Sequence, residues 1–143
     1  GRAFRLAHDI LQKWLAEYPN SFPPIVVNIT DGKAGDDPIQ PARDIMRLKS
    51  NAGSVMLFNA HLADENIEPC TFPSNINEIP QDEYAQMLYN ISSELTPEML
   101  RLAQQTDERI KEGAKGFAYN ADLVKITDFI NVGSNPANFD LER

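Results

Sequence analysis

Thr30-Asp31-Gly32 closes an apolar run, Ile25-Val26-Val27-Asn28-Ile29, and two further aspartates, Asp36 and Asp37, follow in the same loop. A carboxylate at the tip of a buried strand is costly unless something holds its charge. Asp31 could turn the chain by bonding its own backbone. It could cap a helix, or it could offer hard oxygen to a divalent cation or a reacting group. Asp36 and Asp37 read more simply as a loop residue and a helix cap. A calcium-loop reading of residues 31–37 fails, because the alternating oxygen ligands and the closing Glu are absent.

Other groups could do chemistry, and each has a plainer reading. His61, near a strand end, has the side chain of a base or ligand, but no nucleophile motif accompanies it, and a hydrogen-bonded structural histidine accounts for it. His8 falls on the surface of the first helix. Cys70 is the single cysteine, so neither an intrachain disulfide nor a thiolate zinc cluster can form, and no activating base stands beside it. Asn28-Ile29-Thr30 and Asn90-Ile91-Ser92 match the glycosylation sequon, the first inside an expected buried strand, where the match is chance. Asp122 starts or caps the last helix. There is no Gly-rich phosphate loop, no Gly-x-Ser-x-Gly elbow, and no second aspartate two residues after Asp31.

Positioning these groups falls to a chain of 143 residues, 42% hydrophobic, with a formal charge of −8, enough for one domain with a real core. The acidic balance argues against a phosphate-backbone binder. No apolar stretch approaches a membrane span, and the lone cysteine suits a reducing compartment, so the expected location is cytoplasmic.

Phe4, Ala7, Leu11, Trp14, Leu15 and Tyr18 recur at helical spacing, so residues 3–18 read as an amphipathic helix that Pro19 stops. Residues 25–30 are β-branched and nearly continuously apolar, as in a strand covered on both faces. A second helix is expected over 38–49, with Asp37 as cap and Pro38 at the first helical position. A second buried strand follows over 54–60, then a long loop over 61–80 holding Pro69, Pro73 and Pro80. Tyr84, Met87, Leu88 and Ile91 mark a third helix, and Thr96-Pro97-Glu98 opens a fourth. Phe117-Ala118-Tyr119 is a short strand, and residues 121–132 form a closing helix that Gly133 ends. Strands alternating with helices imply a parallel, doubly wound α/β sheet with right-handed crossovers, here with about three strands. In such sheets ligands sit beyond the carboxyl ends of the strands, where Asp31 falls.

The run Pro23-Pro24-Ile25-Val26-Val27-Asn28-Ile29-Thr30-Asp31-Gly32 resembles the von Willebrand factor type A (VWA) domain. Ala3-Phe4 and Trp14 in the first helix, Asn59-Ala60-His61-Leu62, and Gly116-Phe117-Ala118-Tyr119-Asn120-Ala121-Asp122 are similar to bacterial VWA-containing proteins. The resemblance covers essentially the whole chain and identifies residues 1–143 as the C-terminal portion of a single Rossmann-like VWA domain. It implies a metal-ion-dependent adhesion site for Mg²⁺, or Mn²⁺ or Ca²⁺, built from three loops. The loop carrying Asp31 matches the third of them. Neither the Asp-x-Ser-x-Ser loop nor the threonine loop is in this sequence, and Lys33 stands where the family frequently has an acidic residue. The expectation is therefore a chain that begins within a larger domain, whose N-terminal half is missing or on another chain and completes the cation site. The implied function is a non-enzymatic protein-interaction module that binds a partner's carboxylate through the cation. Alternatives are a metal-dependent hydrolase or phosphoryl-transfer enzyme using Asp31, or a structural subunit whose metal site has decayed.

Overall fold

Phe4, Ala7, Leu11 and Leu15 lie along one side of the first helix, α1 (Arg2–Glu17), and pack into a core in the computed structural model, which describes residues 1–32, 35–63 and 66–135. Next come β1 (Ile25–Thr30), α2 (Ile39–Arg47), β2 (Lys49–Ser50), β3 (Gly53–Ser54) and β4 (Met56–His61). The chain continues through β5 (Cys70–Thr71), a 3₁₀ turn (Ile76–Glu78), α3 (Glu83–Asn90), α4 (Pro97–Thr106), β6 (Phe117–Tyr119) and α5 (Leu123–Ser134).

The main sheet runs β1-β4-β6-β5. β1 and β6 flank β4 in parallel, with Thr30 opposite His61 and His61 opposite Tyr119. Alternation along the strands separates two cores. Val26, Leu57, Phe117 and Tyr119 face α1, α2 and α3, while Ile25, Val27, Phe58, Ala60 and Ala118 face α4 and α5. β4 is covered on both faces, and this explains why its apolar residues do not alternate with exposed ones, with Asn59 buried among them.

The α/β class holds, but the sheet is mixed and four-stranded, not parallel and three-stranded. β5 pairs antiparallel with β6, Cys70 opposite Tyr119 and Thr71 opposite Ala118. Two residues bounded by Pro69 and Pro73 carry no period to read, so the strand was invisible in the sequence. A small hairpin, β2 with β3, occupies the expected end of α2 and start of β4.

Helix ends follow local chemistry. The Thr96 hydroxyl accepts the Met99 N–H at 3.2 Å, and the Asp122 carboxylate accepts that of Lys125 at 2.9 Å. The expected start of α2 is one residue early: the cap position is Pro38, which offers no side-chain oxygen, and Asp37, one residue before it, accepts the N–H of Ile39 at 2.9 Å. Gly133 does not end α5 but lies within it, where an added Cβ would sit 3.0 Å from the Phe58 ring. Its small size serves packing rather than termination.

Candidate functional site

Because β1, β4 and β6 are parallel, their carboxyl ends come together. The residues there are Asp31, just past β1, then His61 and Tyr119. They line a cleft of about 650 Å³, whose facing wall is Pro80, Gln81, Asp82 and Glu83 at the start of α3. Ala63 and Ile67 contribute apolar surface from the loop after β4.

The tight turn after β1 is closed by Thr30. Its hydroxyl donates to the carbonyl of Gly32 at 2.7 Å and accepts the Gly32 N–H at 3.3 Å. Asp31 is thereby presented at the surface, at the mouth of the cleft. Lys33 lies outside the described residues.

His61 is only 5% exposed. Its ring meets that of Tyr84 edge-on at 5.2 Å and that of Tyr119 at 5.4 Å, and His61 and Tyr119 give the cleft an aromatic floor. Beyond the apolar spacing of Tyr84 and Tyr119, nothing in the sequence signals this cluster.

Asn120 holds the loop over the cleft. It sits at φ 55° right after β6, a left-handed conformation that asparagine tolerates better than most residues. From there its Oδ1 accepts the Ala63 N–H at 3.1 Å and its Nδ2 donates to the Ile67 carbonyl at 3.2 Å. Asp82 caps α3 by accepting the N–H groups of Tyr84 and Ala85, both at 3.3 Å, and so places one carboxylate on the cleft wall. Neither role was singled out from the sequence. An Asp just ahead of an apolar helical period is the signal that could have marked Asp82.

The remaining candidates lie apart from the cleft. Asp36 accepts from the Gly1 nitrogen at 2.8 Å and the Arg2 N–H at 3.1 Å, which joins the loop after β1 to the start of α1. His8 is on α1, with Nδ1 3.7 Å from a carboxylate oxygen of Asp9. Cys70 is half-buried in β5 and lines a different cavity, with Glu78, Asp107 and Arg109. Burial, then the Glu78 charge, pushes its thiol up to about 11, so it is not an activated nucleophile.

Among the described residues no three His, Cys, Asp or Glu side chains come together as a metal-ligand set. No helix there is long and apolar enough to cross a membrane. No family model, no curated protein and no solved structure matches this chain.

Proposed function

We propose that this chain is part of a VWA-type protein-interaction module, in which Asp31 contributes one oxygen ligand to a divalent cation that a partner's carboxylate completes. The observation that carries the reading is the place of Asp31. It follows a strand at the carboxyl end of the parallel part of the sheet, exposed and lining the cleft of about 650 Å³. Open α/β sheets bind ligands at that end.

The donor chemistry fits a hard cation such as Mg²⁺ or Mn²⁺, which takes carboxylate oxygen and retains water. The number of donors does not suffice for a closed site. Asp82 across the cleft is engaged in capping α3, so in this reading further oxygens come from the rest of the domain, on this polypeptide or another, and from solvent. In this reading the cation links the completed domain to a carboxylate on the partner's surface.

Mn²⁺ titrated into isotope-labelled protein tests the ligand assignment. Paramagnetic broadening is expected to centre on the amides of Thr30, Asp31 and Gly32 and to vanish in Asp31→Asn. Broadening centred elsewhere, or unchanged by the substitution, removes Asp31 from the site.

One observation favours a hydrolytic second reading: His61 lines the same cleft as Asp31. Metal-dependent turnover of ester or phosphoester substrates, lost in both Asp31→Asn and His61→Gln, would establish it in place of the interaction module.

A further inference from the structure

Asp31-Gly32 is the one place in the sequence where glycine follows aspartate, and no asparagine precedes a glycine. That pair carries a reaction of its own. The main-chain nitrogen after an aspartate can attack the carboxyl carbon of its side chain. A side chain on the following residue obstructs the approach, and glycine leaves it open.

The local structure removes the usual reasons for a glycine at this position. Gly32 does not have a positive φ, so the backbone does not require one. A Cβ built on it meets nothing within 4 Å among the described residues, so packing does not require one either. Asp37, Asp82, Asp107 and Asp122 each have a carboxylate oxygen tied to a main-chain N–H. Asp31 is exposed, and among the described residues no hydrogen bond or ion pair holds its carboxylate.

Thr30 is what restrains the pair. Its hydroxyl brackets Gly32, donating to the carbonyl at 2.7 Å and accepting the N–H at 3.3 Å. Thr30 is itself anchored to the sheet, its carbonyl accepting the Leu62 N–H at 2.8 Å. For a ring to close, the Gly32 nitrogen has to turn toward the Asp31 carboxyl and give up its proton. The bonds to the Thr30 hydroxyl must break first.

We propose that Asp31-Gly32 is a site of spontaneous modification, converting to isoaspartate through a cyclic imide, and that the Thr30 hydroxyl slows the conversion. In the first step the Gly32 nitrogen bonds to Cγ of Asp31, and the carboxyl hydroxyl leaves with the nitrogen's proton as water. In the second step water adds to the imide and breaks one of its two C–N bonds. Breaking the new bond returns aspartate. Breaking the original peptide bond leaves the main chain running through Cγ, one methylene longer, with the free carboxylate on Cα. Solvent supplies everything the balance needs. The product lengthens the turn that Thr30 closes and moves the carboxylate from its place at the mouth of the cleft. The reaction needs no cation, so it stands whether or not Asp31 holds one.

The test incubates the purified chain in warm, mildly acidic buffer, where a carboxyl is in part protonated. Isoaspartate is read by peptide mapping, with enzymatic methylation of the isoaspartyl carboxylate as a second readout. The parent should gain it at residue 31 without change of mass, which separates it from deamidation of an asparagine. Thr30→Val keeps the branched shape and loses the hydroxyl, and it should gain isoaspartate about fivefold faster, roughly the weight of one hydrogen bond. Thr30→Ser should keep the parent rate. Gly32→Ala should slow the conversion while leaving the thermal midpoint unchanged. No isoaspartate at residue 31 in either the parent or Thr30→Val overturns the site. Equal rates in the parent and Thr30→Val, or in Thr30→Ser and Thr30→Val, overturn the role of the hydroxyl.

Discussion

Asn28 and Asn59 sit opposite each other in β1 and β4, and the side-chain amide of Asn28 donates to Oδ1 of Asn59 at 3.0 Å. Asn59 is completely buried. Its own amide reaches the Ser92 hydroxyl at 3.0 Å and the Leu88 carbonyl at 3.4 Å, so the pair links the edge strand through β4 to α3. Removing Asn59 leaves the Asn28 amide without its acceptor and opens a void. A buried group deprived of its partner costs about 1–3 kcal/mol. Asn59→Ala should therefore destabilise the fold by about 3 kcal/mol with the void included. Asn28→Ala, at a half-buried position, should cost about 1 kcal/mol. Urea midpoints at unchanged slope measure both, and equal small losses would mean that the network is not stabilising.

Cys70 gives the fold a pH dependence on the alkaline side. Its thiol titrates at about 11 in the fold against an ordinary value of 9.0, raised by burial and then by Glu78. The folded chain holds the proton more tightly than the unfolded one. Stability from this site is thus complete below pH 9 and declines as pH rises from 9 toward 11. Cys70→Ala should flatten that part of the stability profile. In the parent, alkylation by iodoacetamide at pH 8 should run about a hundredfold slower than in urea, following the thiolate fraction. A rate matching the unfolded thiol would refute the burial.

Asp82 joins the cleft wall to the start of α3 through its bonds to Tyr84 and Ala85. Asp82→Ala should cost about 1 kcal/mol, the usual loss for an N-cap. Because Tyr84 packs edge-on against His61, the substitution should also shift the His61 ring resonances. Asp31→Asn, on an exposed turn closed by Thr30, should change stability by less than about 0.5 kcal/mol. Thermal unfolding of the two variants separates the residue that builds the cleft from the one assigned to the cation.

The parts of this architecture that were legible in the sequence are those with a strong local cause. The largely apolar run from Val55 to Ala60 marked a buried strand, and Thr96-Pro97 and Asp122 marked helix starts that their side chains do cap. Asp31 was placed at a strand's carboxyl end because Thr30 and Gly32 announce the turn. β5 was not legible, since two residues make no pattern and their pairing with β6 is a tertiary event. The cleft's other wall was hidden for the same reason. Nothing local in Pro80-Gln81-Asp82-Glu83 tells that it returns to face His61. Gly133 was misread because a glycine near a helix end usually stops it, and here a ring from another strand requires the missing side chain.

That ring supplies the sharpest steric test. Phe58 is completely buried between Gly116 and Gly133. A Cβ at Gly116 would fall 2.2 Å from Phe58 Cδ1, whereas one at Gly133 would fall 3.0 Å from Cε2. The first separation cannot exist without moving the ring, which is held on its other sides by Phe129 at 5.3 Å and by the sheet. Overpacking a core of this density costs about 1–3 kcal/mol. Gly116→Ala should sit at the upper end of that range, near 3 kcal/mol, and Gly133→Ala at the lower end, near 1 kcal/mol. If the ring is the cause, shrinking it should relieve the added methyl. The double variant Gly116→Ala/Phe58→Leu should then be more stable than the sum of its single changes by about 1 kcal/mol or more, a coupling that a denaturant cycle reads directly. Strict additivity would place the strain in the backbone leading into β6 instead of in the Phe58 ring.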